Sequence, residues 1–249
     1  MPIQATLGVA YFATEQYAAA AKTFAPLGVA GMQDGTVGYA WAASLAKLGE
    51  LKKASDVLNQ YEGGNLSTDQ LLLVGQLWTE IADYGHAVTV LHRALQIDPS
   101  LPQAHYYAAL ANIRWEHWTD AHNELQAELA LRPSDPDATY HLGFVALQES
   151  KTDEARKLFE QVIASHPDYA NAQYELGKIL LDQGQLQQAV PHLEAAARLS
   201  PDKEYVHYQL QAAYRKESRT ADADRELAVY QELKTKSRPH IPQSATQNP

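Results

Sequence analysis

Pro99, Pro133, Pro167 and Pro201 stand 34 residues apart each time. Ala87, Ala121, Ala155 and Ala189 keep the same interval, as do Leu91, Leu125, Phe159 and Leu193. Gly75, Ala109, Gly143 and Gly177 supply a small residue at one further register. Agreement of four positions over four copies makes the chain an array, because a fixed period in this range marks stacked supersecondary units. One such unit cannot bury its apolar faces alone, so its stability must come from its neighbours.

The frame extends both ways. Leu7, Gly8, Tyr11, Ala20 and Phe24 fit a copy from residue 1, and Ala42, Leu45, Gly49, Ala54 and Leu58 fit one from residue 35. Leu210, Tyr214, Ala223 and Leu227 fit a last copy, with Gln211 in the place of the small residue. Seven copies are expected, starting near residues 1, 35, 68, 102, 136, 170 and 204. Each holds two apolar patterns of helical period, interrupted around its fifteenth position by Gly49, Gly85, Gly184 or a polar equivalent. The prolines of Asp98-Pro99, His166-Pro167 and Ser200-Pro201 then close the second helix, since proline disfavours helical geometry in the residue before it. Within copy six, Gly177 and Ala189 let two helices approach, and Ala196 admits the next copy. Leu176, Leu180 and Leu193 fill the remaining space.

Period and residue classes resemble the tetratricopeptide repeat family over residues 1–237. Copies five and six carry the resemblance best, through Leu142-Gly143, Ala155, Phe159, Pro167 and Leu176-Gly177, Ala189, Leu193, Pro201. The family's aromatic at position 4 is replaced by Leu71, His105, Thr139, Gln173 and His207, and Glu128 stands where a small apolar residue is usual. The resemblance implies an all-α fold: a right-handed superhelical solenoid of helix-turn-helix hairpins, with a concave face lined by the first helices. Residues 238–249, with Pro239, Pro242 and Pro249 and little apolar content, are expected to be a flexible tail. The chain begins inside a first helix, so a longer natural protein is expected, with any targeting signal in the missing part.

Composition narrows the function. The 249 residues are 45% hydrophobic and carry a net charge of −10. Such a balance is unsuited to neutralising phosphates, which argues against a nucleic-acid partner. Residues 68–169 hold 6 basic and 15 acidic residues, whereas 170–249 hold 10 of each. The absence of cysteine excludes disulfides, thiolate metal sites and cysteine nucleophiles. The N-terminal residues lack the pattern of a signal peptide. No apolar run approaches membrane-spanning length, so membrane insertion is not expected. A cytoplasmic location is the default reading, and a periplasmic one follows if the N-terminus is incomplete.

Catalytic patterns are missing. The ten histidines include no HExxH spacing; His117 and His122 are five apart, and His86 and His92 six apart. No phosphate-cradling glycine motif occurs. Asp153 and Glu154 begin a second helix, where carboxylates favour the macrodipole. No catalytic residue, metal site or cofactor is assigned, and the chain is read as a non-enzyme.

The resemblance also implies which positions face the groove. Position 5 gives Ala5, Tyr39, Leu72, Tyr106, Tyr140, Tyr174 and Tyr208, with Phe144 at position 9 and Tyr205 at position 2. Tyrosine offers a broad apolar face with a polar tip, which suits capture of a peptide or helix; packing against the next hairpin is its competing role. Lys47, Arg114, Lys178, Arg215 and Lys216 also map to the groove, against Asp69, Glu80, Asp137 and Asp182. Copies six and seven thus read as net basic, suited to an acidic or C-terminal peptide held by Lys178, Arg215 and Lys216. Position 5 never holds lysine, so the family's carboxylate clamp is not recognisable. Around the turn of copy four, Trp115, His117 and Trp118 would form a second contact site if exposed as a pair. The leading reading is a scaffold that binds a protein or peptide segment in the concave groove. Alternatives are an accessory subunit presenting partners to an enzyme or cell-envelope assembly, and self-association through the uncapped C-terminal copy.

Overall fold

The computed structural model describes residues 3–28 and 35–236; the expected tail at 238–249 lies outside the described residues. Among the described residues there are fourteen α-helices, one short 3-10 turn and no strand. They are α1 (Ile3–Ala13), α2 (Tyr17–Phe24), α3 (Gly35–Lys47), α4 (Leu51–Glu62), α5 (Thr68–Glu80), α6 (Tyr84–Ile97) and α7 (Ala104–Arg114). The remainder are α8 (Trp118–Leu131), α9 (Pro136–Gln148), α10 (Thr152–Ser165), α11 (Ala170–Asp182), α12 (Leu186–Leu199), α13 (Glu204–Lys216) and α14 (Thr220–Lys236). Helices α6, α10 and α12 end at Ile97, Ser165 and Leu199, two residues before Pro99, Pro167 and Pro201, as the proline stops require. None of these helices is long and apolar enough to cross a membrane.

One turn joins the two helices of every hairpin. Its αL residue is Glu15, Gly49, Ala82, Glu116, Ser150, Gly184 or Ser218, all with φ between 59° and 75°. In each, the following N–H reaches five residues back, as in Gln16 to Tyr11 O at 2.9 Å and Gln185 to Leu180 O at 2.8 Å. That is the Schellman closure, which satisfies carbonyls left open at a helix end. Gly49 and Gly184 sit where expected, but Gly85 does not. Ala82 makes the turn of the third hairpin, and Gly85 lies inside α6, where an added Cβ would meet the Trp115 ring at 3.4 Å.

The chain divides into two compact units, Met1–Ala138 and Thr139–Pro249. In the first, α1, α3, α5 and α7 touch in sequence, each backed by its own second helix. Its core gathers Leu58, Leu71, Val74, Trp78, Ala87 and Val90, and a smaller cluster holds Ala5, Ala20, Phe24, Val37 and Ala40. The second unit is built on Phe159, Leu176, Leu180, Leu193, Val190 and Leu210. Asp153 and Glu154 occupy the first turn of α10, where the helix dipole favours them.

Polar residues at position 4 become fasteners within hairpins. Gln173 donates to the Pro167 carbonyl at 2.8 Å, and its Oε1 lies 2.7 Å from His192 Nδ1 on α12. The buried His207 repeats the arrangement: Nε2 lies 3.0 Å from the Pro201 carbonyl and Nδ1 2.6 Å from Glu226 on α14. His105 lies 2.7 Å from Glu124 on α8, and the other oxygen of Glu124 lies 2.6 Å from His92 on α6. Glu128, fully buried, accepts from the Tyr106 N–H at 3.1 Å and pairs with Arg132. It serves the N-terminus of α7, whose Gln103 gives no side-chain cap and whose first N–H groups have no helical partner.

The Glu124 cluster makes stability depend on pH. Burial would raise the Glu124 carboxyl, but bonds from His92 and His105 outweigh it and hold the group below its ordinary value. The Glu124 bond holds His92 above its own ordinary value, with burial opposing and Asp120 assisting. A lowered carboxyl contributes stability that is lost as pH falls, and a raised histidine contributes stability that is lost as pH rises through its folded pKa. The cluster therefore contributes most at about pH 5–6, between ordinary values of about 4.3 and 6.5. Melting of the native chain and Glu124→Gln across pH 4–8 should differ most in that window. A difference that stays constant with pH would contradict this.

Candidate functional site

Helix α11 sets the local geometry of the second unit. Glu175, Lys178 and Asp182 recur at i, i+3 and i+7, which places all three on one helical face. Opposite them α9 presents Phe144, Leu147 and Gln148, and together these residues line an open cleft of about 550 Å³. Ile179 adds an apolar side chain to the lining.

The tyrosines of this unit meet beside the cleft. Tyr140 is half-buried, its ring 5.2 Å from Tyr169 and 5.7 Å from Phe159. Tyr174 meets Tyr205 of α13 nearly edge-on, at 4.9 Å and 74°. Burial, followed by the nearby Glu175 carboxylate, raises both the Tyr140 and Tyr174 phenols, Tyr174 to about 12. The half-buried phenols hold packing positions, whereas Tyr205 and Tyr208 remain 43% and 52% exposed. Tyr208 lies against Tyr230 of α14 at 5.3 Å.

The basic character was expected of copies six and seven; the cleft, between copies five and six, holds only Lys178 of the three expected cations. Two carboxylates, Glu175 and Asp182, flank a single ammonium, Lys178. The Glu175 side chain is only 14% exposed, and Lys178 lies 3.9 Å from it. Burial raises the Glu175 carboxyl, and Lys178 only partly offsets that. Arg215 and Lys216 are exposed on the last turn of α13, and Arg215 reaches Asp224 of α14 at 3.9 Å. The groove positions implied by the resemblance omitted Glu175, although its spacing from Lys178 and Asp182 was legible as a helical stripe.

The candidates in the first unit are placed separately. Tyr39 on α3 is half-buried and edge-on to Phe12 at 6.2 Å; burial raises its phenol, Glu80 adds to this, and Lys47 offsets it. Tyr106 on α7 packs on Tyr107 at 5.6 Å, and burial with Asp137 and Asp135 raises it to about 12. Arg114 is exposed on the last turn of α7. Lys47 and Glu80 pair across α3 and α5. Trp115 and Trp118 do not form an exposed pair. Trp115 is 44% exposed and stacks on His117 at 4.0 Å and 18°, while Trp118 is half-buried at the start of α8.

Comparisons with known proteins agree with this architecture. Residues 145–204 match the family model described as tetratricopeptide repeat. MamA from Desulfovibrio magneticus is similar at 21% identity, with a TM-score of 0.61, over 69% of this chain and 97% of its own. Another crystal structure of MamA gives 20% identity and a TM-score of 0.58, over 65% and 95%. YrrB, described as a TPR protein with an unusual peptide-binding site, gives 16% identity and a TM-score of 0.55, over 74% and 93%. At these identities the likeness is one of fold. No curated protein matches the sequence. Residues 145–204 thus carry the tetratricopeptide repeat, and the hairpin fold around them is the fold of these solved structures.

Proposed function

We propose that this protein is a non-enzymatic interaction scaffold whose second unit binds a peptide or helix of a partner on the face of α9, α11 and α13. The supporting observation is the combination of Tyr205 and Tyr208, both exposed, with the open cleft between α9 and α11. Exposed tyrosines beside a concave surface supply contact area at low entropy cost, and such anchors carry much of the energy of peptide interfaces. The peptide-binding site ascribed to YrrB supports the same use of this fold. Tyr39, Tyr106 and Arg114 would serve a corresponding face of the first unit, and Arg215 and Lys216 the rim beside Tyr208.

Tyr205 and Tyr208 are the residues to change, because their exposure lets them be truncated with little loss of packing, unlike Tyr140. A Tyr205→Ala/Tyr208→Ala chain should keep its melting temperature and lose affinity for its captured partner at least about tenfold, or about 1.4 kcal/mol. Quantitative capture with the native and doubly changed chains checks this. Equal retention of the same partners would remove the face from consideration.

A further inference from the structure

The cleft between α9 and α11 carries information about its occupant beyond shape. Its apolar lining includes Phe144, Leu147 and Ile179, and its charged lining is Glu175, Lys178 and Asp182. Glu175 is the unusual member: its side chain is 14% exposed, and the cation facing it lies 3.9 Å away on a side chain that is itself 45% exposed. An ion pair with one half-exposed partner contributes little, so the mostly buried carboxylate has a single, weakly held countercharge. A buried charge of this kind is costly until it is paired and hydrogen-bonded. The rings of Tyr174 and Tyr205 stand beside it, 4.9 Å apart, and aromatic faces attract cations.

We infer that the cleft accepts a peptide segment carrying a lysine or arginine side chain next to an apolar one, with the cation on Glu175 and the apolar side chain on Phe144 and Ile179. This rests on the docking reading above and names the chemistry of the partner at that face. It differs in sign from the acidic peptide expected at copies six and seven from Lys178, Arg215 and Lys216, of which the cleft holds only Lys178. In this arrangement Lys178 is a competitor that an incoming cation displaces from Glu175. Arginine has the advantage, because its planar fork can pair with the carboxylate through two N–H groups at once.

Selection of a random dodecapeptide phage library on the full-length chain tests the inference without a known partner. The expected result is enrichment of lysine or arginine beside an apolar residue. Synthetic copies of the selected peptides should bind Glu175→Gln at least about tenfold more weakly, and should bind Lys178→Met more tightly than the native chain. Circular dichroism melting establishes whether each variant is folded. Should Glu175→Gln fail to fold, the direction of change in Lys178→Met decides by itself. Peptides enriched in aspartate or glutamate, or affinities indifferent to both substitutions, would overturn the inference while leaving a peptide-binding face in place. Failure to enrich any peptide over an unrelated helical protein would overturn the face itself.

Discussion

Trp78→Ala is expected to destabilise the first unit by about 3–5 kcal/mol, as large-to-small changes in a packed core do. Trp78 is fully buried on α5, among Leu58, Leu71, Val74 and Val90, with the His86 ring stacked on it at 4.8 Å. Its indole N–H also donates to Glu62 at the end of α4. Burial raises the Glu62 carboxyl, and the indole bond partly counters that rise. Trp78→Phe separates the two contributions. It preserves most of the apolar volume but orphans a half-buried acceptor, for about 1–3 kcal/mol. The sign with pH follows. A group whose folded pKa is raised loses stability as pH climbs past its unfolded value. Without the indole that loss grows, so the Trp78→Phe deficit should be larger at pH 7 than at pH 4. Urea denaturation of the full chain at both values provides the measurement, and equal deficits would show that the Glu62 bond contributes nothing.

Gly177→Leu should cost about 1–3 kcal/mol by overpacking, and the geometry places it toward the upper end. A Cβ at Gly177 would sit 2.7 Å from Leu193 Cγ and 3.2 Å from the Leu193 backbone nitrogen. The side chain can turn aside, but the nitrogen belongs to α12 and moves only with that helix. Leu193→Ala alone should destabilise by about 2–5 kcal/mol. In Gly177→Leu/Leu193→Ala the two costs should sum to less than their separate values, because the residues share one space. Thermal unfolding of the four chains closes the cycle. An unchanged melting temperature in Gly177→Leu would refute the close approach of α11 and α12. Gly75 and Gly143 face Leu91 and Phe159 sixteen residues on, as Gly177 faces Leu193, so the result applies to each hairpin with glycine at that place.

Most of the hairpin architecture was legible in the sequence because its causes are local. Helical periodicity, the proline two residues past a second helix and the small residue at the helix contact all act within one 34-residue copy. The resemblance implied the groove residues only by position, and position does not distinguish an exposed ring from a packed one. Tyr140 and Tyr208 occupy the same register, yet Tyr140 is wedged between Tyr169 and Phe159 while Tyr208 is 52% exposed. The turns show the same limit. Gly85 drew attention as the breaker of the third hairpin, whereas Ala82 takes the left-handed conformation, because the register of the Schellman closure outweighs the modest strain of a Cβ there.

By itself, then, the sequence determined the period, the helical hairpins and the absence of cysteine chemistry, since these follow from spacing and composition. The tertiary structure alone decided which charges meet. His105 finds Glu124 from the next helix, and His92 finds it from α6. Glu128 turns inward to serve the start of α7, and Glu175 is left 14% exposed, near enough to Tyr140 and Tyr174 to raise their phenols, with Lys178 at 3.9 Å. Coulomb energy and desolvation depend on distances between residues of different helices, and no count along the chain supplies those distances. The sign of the cleft, and with it the class of peptide it would receive, is therefore set by packing.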